Sequence, residues 1–290
     1  MTPPTFDDVC ALALRLPCAP QLLPRLSAAL ARDDRPSDEL EAIIRIDPTL
    51  ASSTLRLANS TYFASAEPID RLSEAIFRLG RREIYRLAVL SLAGRWMNHT
   101  ADGYRWEAGD FCRHALCRAI AAEHLAECSR QADPGQAYTA GLVCTVGKLA
   151  IAHACGAWFG AIRAFQQAQA CPWTQAERSV LGYDYADAGT RLLQHWRFPP
   201  SLVAAATFQV RPAQAPDAMK PLLATLHAAH YLATAMGAGV TEDGFLFALD
   251  GDFLLAWGFT PELLNQALPV VLERARNVLQ NRLTCGPVAF

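Results

Sequence analysis

Apolar residues along this chain recur at intervals of three and four positions, while the strict alternation typical of half-buried strands is almost absent. The spacing predicts helices, and prolines, glycines and short polar side chains mark their ends. The predicted helices lie at about 22–31, 37–46, 48–59, 73–79, 81–92, 109–126, 174–182, 186–196, 200–208, 221–236 and 261–279, with a short one before the turn at Asp250. The pattern therefore indicates an all-α protein.

Several predicted helix ends carry residues that suit the position. Asp47 precedes Pro48, the order expected for an N-cap followed by the first residue of a helix. Gly80 follows an apolar helix and suits a left-handed C-cap. Thr174 and Glu177 have the spacing of a capping box, which predicts that a helix begins there.

A mostly apolar stretch, AGLVCTVGKL at positions 140–149, is the segment around which the predicted core is organised. After the turn at Asp133-Pro134-Gly135 we expect one helix that continues to about His153. Cys144 and Thr145 are the small polar residues of this stretch. We expect both side chains to be buried as packing.

Composition narrows the classes of function. The chain has 290 residues, 52% of them apolar, and a formal net charge of −2, so it can bury a large core without a strong overall field. Bulk charge therefore does not indicate nucleic acid or an acidic membrane as a partner. Nine cysteines without a CxxC pair or regular spacing are typical of a reducing compartment. Because no apolar run reaches about 18 residues and the acidic start does not resemble a secretory signal, we expect a soluble, cytoplasmic protein.

Three local groups are candidates for chemistry. His227 and His230 are three residues apart, close enough to approach one ion, but no Asp or Glu lies between positions 224 and 236. Cys144 could act as a thiolate beside a histidine, although nothing local indicates an oxyanion hole. The arginines around Gly80 could bind an anion or a partner, or could form a solvated face: Arg78, Arg81, Arg82, Arg86 and Arg95.

Eight short segments of the chain occur in an order that is specific to one family. They are IIRIDPTL at 43–50, LRLANS at 55–60, EAI at 74–76, LG at 79–80, AGL at 140–142, GKL at 147–149, GYDYADAG at 182–189 and WRFP at 196–199. This set resembles the HDOD family, the HD-related output domains of bacteria. The resemblance covers about residues 17–212 and implies an HD-like multi-helix domain there. We expect an N-terminal segment at 1–16 and, after the proline-containing linker at 211–216, a C-terminal helical subdomain at 213–290 that packs on the domain.

The resemblance also implies descent from the HD phosphohydrolases, in which a first His, an adjacent His-Asp pair and a later Asp hold a metal. By position, the first His is His114, whereas the pair falls on Cys144 and Thr145. A histidine frequent in the G-x-D-H-A segment is replaced by Tyr185, and the final Asp falls at His230. A divalent ion needs several converging ligands, so we expect no metal, no cofactor and no hydrolase activity.

The remaining signature residues are interpreted as structural rather than ligand-binding. Asp47 would cap a helix, and Asn59 would satisfy a helix end or bridge two segments through its amide. The His-His-Pro that commonly closes the family domain falls on Phe208, Gln209 and Pro212. The structural signature set is Asp47, Pro48, Asn59, Ser60, Gly80, Gly141, Gly147, Gly189 and Trp196.

Three hypotheses for function follow. The first is a non-enzymatic regulator that acts through protein contacts in bacterial signal transduction, with response-regulator, GGDEF or EAL proteins as partners in trans. Its outputs in cyclic di-GMP, motility or stress signalling rest on family analogy. The second is a residual phosphohydrolase or nucleotide sensor in the former active-site cavity, with His114 and the arginines near Gly80 as phosphate contacts. The third is nucleic-acid binding through the arginine face, which would give a strongly salt-dependent affinity.

Overall fold

The computed structural model describes residues 3–13, 44, 51, 54–55, 57–59, 69–80, 83–84, 87, 102–107, 109–238 and 249–283. Within these ranges the chain forms helices, turns and loops and contains no β-strand. The prediction of an all-α fold is confirmed. The chain divides into two compact units: unit 1 comprises Met1–Leu16, Met97–His195 and Pro199–Phe290, and unit 2 comprises Pro17–Trp96 and Trp196–Phe198.

The described part of unit 1 contains eleven α-helices. They are α1 (Phe6–Ala13), α2 (Asp110–Ser129), α3 (Pro134–Val143), α4 (Gly147–Ala154), α5 (Phe159–Gln169), α6 (Trp173–Leu181), α7 (Tyr185–His195), α8 (Pro200–Phe208), α9 (Lys220–Ala235), α10 (Gly251–Ala256) and α11 (Pro261–Leu283). Among the helices described, none alone has both the length and the apolar content of a membrane span; the pair Pro134–Ala154 and Gly156–Gln169, bent by 84°, meets those criteria only together.

Helix α2 is the centre of unit 1. It packs against α3, α9 and α11, and its alanines Ala115, Ala119 and Ala122 are fully buried. Small side chains on this face allow the neighbouring helices to approach closely. Around this centre, α7 packs on α4 and α8, and α1 packs on α4 and α7. The predicted C-terminal helices therefore pack on the helices that precede them.

Unit 2 is described only in part. Residues 72–80 are helical, with Ala75, Ile76 and Leu79 buried. Gly80 has a φ of +74°, the left-handed conformation that was predicted for a C-cap. The amide of Asn59 donates to Ile69 O at 2.8 Å and accepts from Ile69 N at 2.8 Å, so it bridges two segments as expected.

Two local predictions are wrong. The stretch 140–149 does not continue as one helix, because α3 ends at Val143 and α4 begins at Gly147. The capping box at Thr174 does not form: α6 begins at Trp173, and the Glu177 carboxylate accepts hydrogen bonds from side chains of the core instead. The short helix predicted before Asp250 falls on residues 239–248, which lie outside the described residues. Asp250 itself caps α10 by accepting from Phe253 N at 3.0 Å.

Candidate functional site

The positions that the resemblance aligns with the HD metal site lie in the core of unit 1. His114 is on α2, Cys144 and Thr145 are between α3 and α4, Tyr185 begins α7, and His230 is on α9. None of these five residues is more than 5% exposed. The His114 and His230 rings are 5.5 Å apart in an edge-to-face arrangement. The expectation that Cys144 and Thr145 are buried is confirmed.

The break between α3 and α4 has a specific hydrogen-bond pattern. In a continuous helix Lys148 N would donate to Cys144 O, but here it donates to Thr145 O at 3.0 Å. The Cys144 carbonyl instead accepts from Gln209 Nε2, while Gln209 Oε1 accepts from Arg118 Nη1 at 2.8 Å. The side-chain amide of Gln209, located just after α8, therefore joins the break between α3 and α4 to helix α2.

The Cys144 thiol has the features of packing rather than of a nucleophile. It is fully buried, and Sγ lies 3.9 Å from Gly141 O. Burial raises the pKa of Cys144, although Arg118 and Lys148 oppose this shift, so the thiol form is favoured. No imidazole among the described residues is hydrogen-bonded to it, which removes the support for a Cys-His pair.

The buried histidines are held in their neutral form. His114 Nδ1 is 2.9 Å from Ala238 O and therefore donates, which leaves Nε2 unprotonated. Burial lowers the pKa of His114 to about 3, with Lys148 and Arg118 acting in the same direction. His227 Nε2 accepts from Asp250 N at 2.9 Å, and burial lowers the pKa of His227 to about 4. Burial also lowers the pKa of His230 well below 6.5.

An ammonium group lies beside these histidines. Lys148 is fully buried, and its Nζ lies 4.7 Å from the ring centroid of Tyr185, 5.2 Å from that of Trp106 and 5.6 Å from that of Tyr104. Such an aromatic enclosure stabilises a cation through the negative faces of the rings. Tyr185, which the resemblance aligns with a histidine frequent in the family, therefore contributes one of the rings around Lys148.

Glu177 binds residues of this enclosure through its carboxylate. Its Oε1 accepts from Tyr104 Oη at 2.6 Å and from Trp173 Nε1 at 2.8 Å, and its Oε2 accepts from Tyr185 N at 2.9 Å. The carboxylate thus fixes the Tyr104 ring and the backbone of Tyr185, two residues that surround Lys148. Neither Glu177 nor Arg118 was identified from the sequence, since their partners are distant in the chain.

The residues present do not fit a divalent metal ion. His114 Nε2 has no hydrogen-bond partner among the described residues. Of the positions that would complete the ligand set, His230 carries an imidazole, and the others carry a thiol, a hydroxyl and a phenol. Within the ranges that the structure describes, no group of three or more His, Cys, Asp or Glu side chains is arranged for a metal. The Arg118 guanidinium also lies in this core and would repel a metal cation.

The signature glycines lie at close helix contacts. A Cβ on Gly147 would lie 1.9 Å from Tyr185 O, and one on Gly141 would lie 2.9 Å from Ala119 Cα. A Cβ on Gly189 would meet Gly147 N at 3.3 Å. These glycines therefore set the distances of α3 from α2 and of α4 from α7. The structural interpretation fits all three positions.

Asp184, in the GYDYADAG segment, caps α7 and joins an ion-pair network. Its Oδ1 accepts from Ala186 N at 2.8 Å and from Asp187 N at 3.0 Å, while Asp187 Oδ2 accepts from Asp184 N at 3.0 Å. Arg178 Nε lies 2.7 Å from Asp184 Oδ2, and Arg211 Nη2 lies 3.5 Å from Asp187 Oδ1. The segment is thus a reciprocal helix cap with two arginine partners.

The remaining predicted residues are only partly described. Arg78 is exposed on the helical segment 72–80, and Trp196 is half-buried with its ring 6.5 Å from that of Phe198. The other members of the arginine and signature sets lie outside the described residues: Asp47, Pro48, Ser60, Arg81, Arg82, Arg86 and Arg95.

Known proteins share this sequence pattern and architecture. The HDOD domain family model matches residues 16–212. A protein of Treponema pallidum (strain Nichols), described as uncharacterized, is 25% identical over 212 residues, which are 73% of this chain and 40% of that relative. This chain thus spans less than half of the relative's length.

Two solved structures have the same fold. A candidate signal transduction protein from Marinobacter aquaeolei VT8 is 22% identical with a TM-score of 0.72, over 92% of this chain and 59% of that one. A candidate phosphohydrolase from Shewanella amazonensis SB2B is 25% identical with a TM-score of 0.64, over 93% of both chains. Because the family model covers more than half of the sequence, this chain belongs to the HDOD family of signalling-related domains.

Proposed function

We propose that this protein is a non-enzymatic regulator of bacterial signal transduction that acts through protein–protein contacts. The observation that carries the proposal is the replacement of the metal ligands by a buried core. Cys144 and Thr145 are fully buried, and the Lys148 ammonium lies among aromatic rings next to them in the fold. Hydrolysis by a metal-bound water needs several convergent ligands, which these side chains do not provide.

The finer parts of the proposal rest on the family. Response-regulator, GGDEF or EAL proteins are the proposed partners, and cyclic di-GMP, motility or stress signalling is the proposed context. The Marinobacter structure, described as a candidate signal transduction protein, supports the general class. The proposed contact surface is the arginine set that begins at the exposed Arg78.

A residual phosphohydrolase is the second candidate, because the Shewanella protein of the same fold is described as a candidate phosphohydrolase. Metal analysis and phosphodiesterase assays of the purified protein separate the two. We expect no stoichiometric Fe, Mn or Zn and no hydrolysis. Stoichiometric metal, or an activity that His114→Ala abolishes, would overturn the non-enzymatic proposal.

The contact surface is tested by affinity capture from a bacterial cytoplasm. We expect the wild-type chain to recover a signalling protein that Arg81→Glu/Arg82→Glu does not recover. Arg276→Glu changes an exposed arginine on α11 and is the control for charge alone. Equal capture by both variants would exclude the arginine set as the contact surface. The nucleic-acid hypothesis is rejected if neither DNA nor RNA binds at low salt.

A further inference from the structure

Arg118 is a buried guanidinium with no counter-ion among the described residues. The residue is 1% exposed, and its Nη1 donates to the neutral amide of Gln209 at 2.8 Å. Within the described ranges, its Nε has no hydrogen-bond partner. Among the residues that the structure describes, no carboxylate forms an ion pair with it. Buried arginines are normally paired with an acid, because removing an isolated charge from water costs several kcal/mol.

The neighbouring thiol does not supply the missing negative charge. Arg118 lies close enough to Cys144 to oppose the rise in its pKa, but burial still raises that pKa. Cys144 therefore remains a neutral thiol at neutral pH. The charge of Arg118 is left without an internal partner in this part of the fold.

Other unpartnered polar atoms lie on buried side chains in the same core. They are Trp106 Nε1, His114 Nε2 and Thr145 Oγ1. His114 precedes Arg118 by one helical turn on α2, and the Trp106 and His114 rings are 5.8 Å apart. Thr145 follows Cys144, whose carbonyl shares the Gln209 amide with Arg118. Buried polar atoms are nearly always hydrogen-bonded, so several polar atoms without partners near one unpaired cation indicate a bound polar ligand.

We propose that the core of unit 1 binds a small oxyanion of the hydrogen phosphate type on the Arg118 guanidinium. Arg118 Nε, Trp106 Nε1 and the Thr145 hydroxyl are donors, and guanidinium groups match the geometry of phosphate oxygens. His114 Nε2 is an acceptor, since Nδ1 already donates to Ala238 O. Hydrogen phosphate supplies both acceptor oxygens and an O–H, whereas sulfate at neutral pH supplies only acceptors. The inference stands independently of the proposed regulatory function.

The burial of the surrounding residues limits the size of the ligand. His114, Arg118, Thr145 and His230 are all 5% exposed or less. A free phosphate is therefore favoured over the phosphate group of a nucleotide, which would carry a base and a sugar. Because the core has to open for entry, association is expected to be slower than diffusion.

Isothermal titration calorimetry with inorganic phosphate, in phosphate-free buffer, tests the site. We expect saturable binding that weakens at least tenfold in Arg118→Met, which keeps the length of the side chain and removes its charge. Arg113→Met, on the exposed face of the same helix, is the control and should bind as the wild type does. Absence of binding to the wild type, or equal binding by Arg118→Met, would overturn the proposal.

Two further measurements keep the test decisive if Arg118→Met does not fold. Phosphate is compared with sulfate and with AMP on the wild-type chain, and we expect phosphate to bind at least tenfold more tightly than either. His114→Leu removes the acceptor and should reduce the preference for phosphate over sulfate. Equal affinity for sulfate would remove the assigned role of His114, and tighter binding of AMP would overturn the assignment to free phosphate.

Discussion

Gly147 is a residue at which the core has no room for a side chain. An added Cβ would lie 1.9 Å from Tyr185 O and 2.4 Å from Gly189 N, both backbone atoms that cannot rotate away. We expect Gly147→Ala to lower the free energy of unfolding by about 3 kcal/mol or more through forced separation of α4 and α7. Urea denaturation measures the change.

Gly160→Ala is the matched control, because Gly160 is exposed on α5 and a Cβ there meets nothing within 4 Å. Alanine is a better helix former than glycine, so this variant should gain up to about 1 kcal/mol. Equal destabilisation by the two substitutions would contradict the close-packing explanation.

The neutral histidines give the protein a predicted dependence on pH. In the folded state the pKa of His114 is about 3 and that of His227 about 4, against 6.5 for a histidine exposed to water in the unfolded chain. Below pH 6.5 the unfolded chain therefore binds protons that the folded chain does not, so stability is present at neutral pH and falls on acidification. Each histidine should lower the free energy of unfolding by about 2 kcal/mol between pH 7 and pH 5.

Urea denaturation at pH 7 and pH 5 measures this loss. His114→Gln should flatten the profile between these values, because the buried imidazole no longer titrates. His153→Gln, on the exposed side of α4, should leave the profile close to that of the wild type. A His114→Gln profile as steep as the wild-type profile would count against the burial argument.

Glu177 and Arg118 were missed in the sequence for one physical reason, which is that their partners in the fold are distant in the chain. Glu177 has the spacing of a capping box, but its carboxylate accepts a hydrogen bond in the core from Tyr104, 73 residues earlier. Arg118 did give a signal, since it is a charged residue among the buried alanines of α2. A charge on an apolar helix face is visible in the sequence. Its lack of a counter-ion is not, because that depends on which other elements pack there.

At the scale of elements, local chemistry predicted helix α8 at 200–208 and the C-terminal boundary of α6 at Gly182, whose φ is +89°. Proline and glycine act within a turn of the position that they mark, so the sequence contains their effect. The break at Cys144 could not be predicted in this way. It depends on Gln209, which is 65 residues away and donates to the Cys144 carbonyl. In a continuous helix that carbonyl would accept from the backbone N–H of Lys148.

Gln209 is therefore predicted to stabilise the junction of α2, α3 and α8. Gln209→Leu would leave the Cys144 carbonyl and the Arg118 guanidinium without this partner in a buried site. We expect a loss of about 2–3 kcal/mol, which exceeds the value of an ordinary hydrogen bond. Urea denaturation of Gln167→Leu, at an exposed position of α5, provides the control. Similar midpoints for both variants would show that the bridge is dispensable.

For the molecule as a whole, α1 lies before the family match at 16–212 but packs on its helices α4 and α7. Val9 is fully buried, and Tyr183 Oη donates to Pro4 O at 2.9 Å. Removal of residues 1–13 should therefore destabilise unit 1 by roughly 3 kcal/mol. Limited proteolysis and urea denaturation measure the effect.

A point variant separates this packing from simple chain length. Val9→Asp places a charge in the contact and should reproduce most of the loss, whereas Ala11→Asp, on the exposed side of α1, should not. If the truncated chain unfolds at the wild-type urea concentration, α1 is not part of the stable fold.

Because Cys144 is buried, the rate at which its thiol is modified reports on opening of the core. An alkylating reagent reaches the exposed Cys128 directly, whereas Cys144, at 0% exposure, is modified only in conformations that admit solvent. The rate at which the intact protein takes up label at Cys144 thus counts these openings. A ligand held on Arg118 would slow the labelling of Cys144, and a partner that separated the helices would accelerate it.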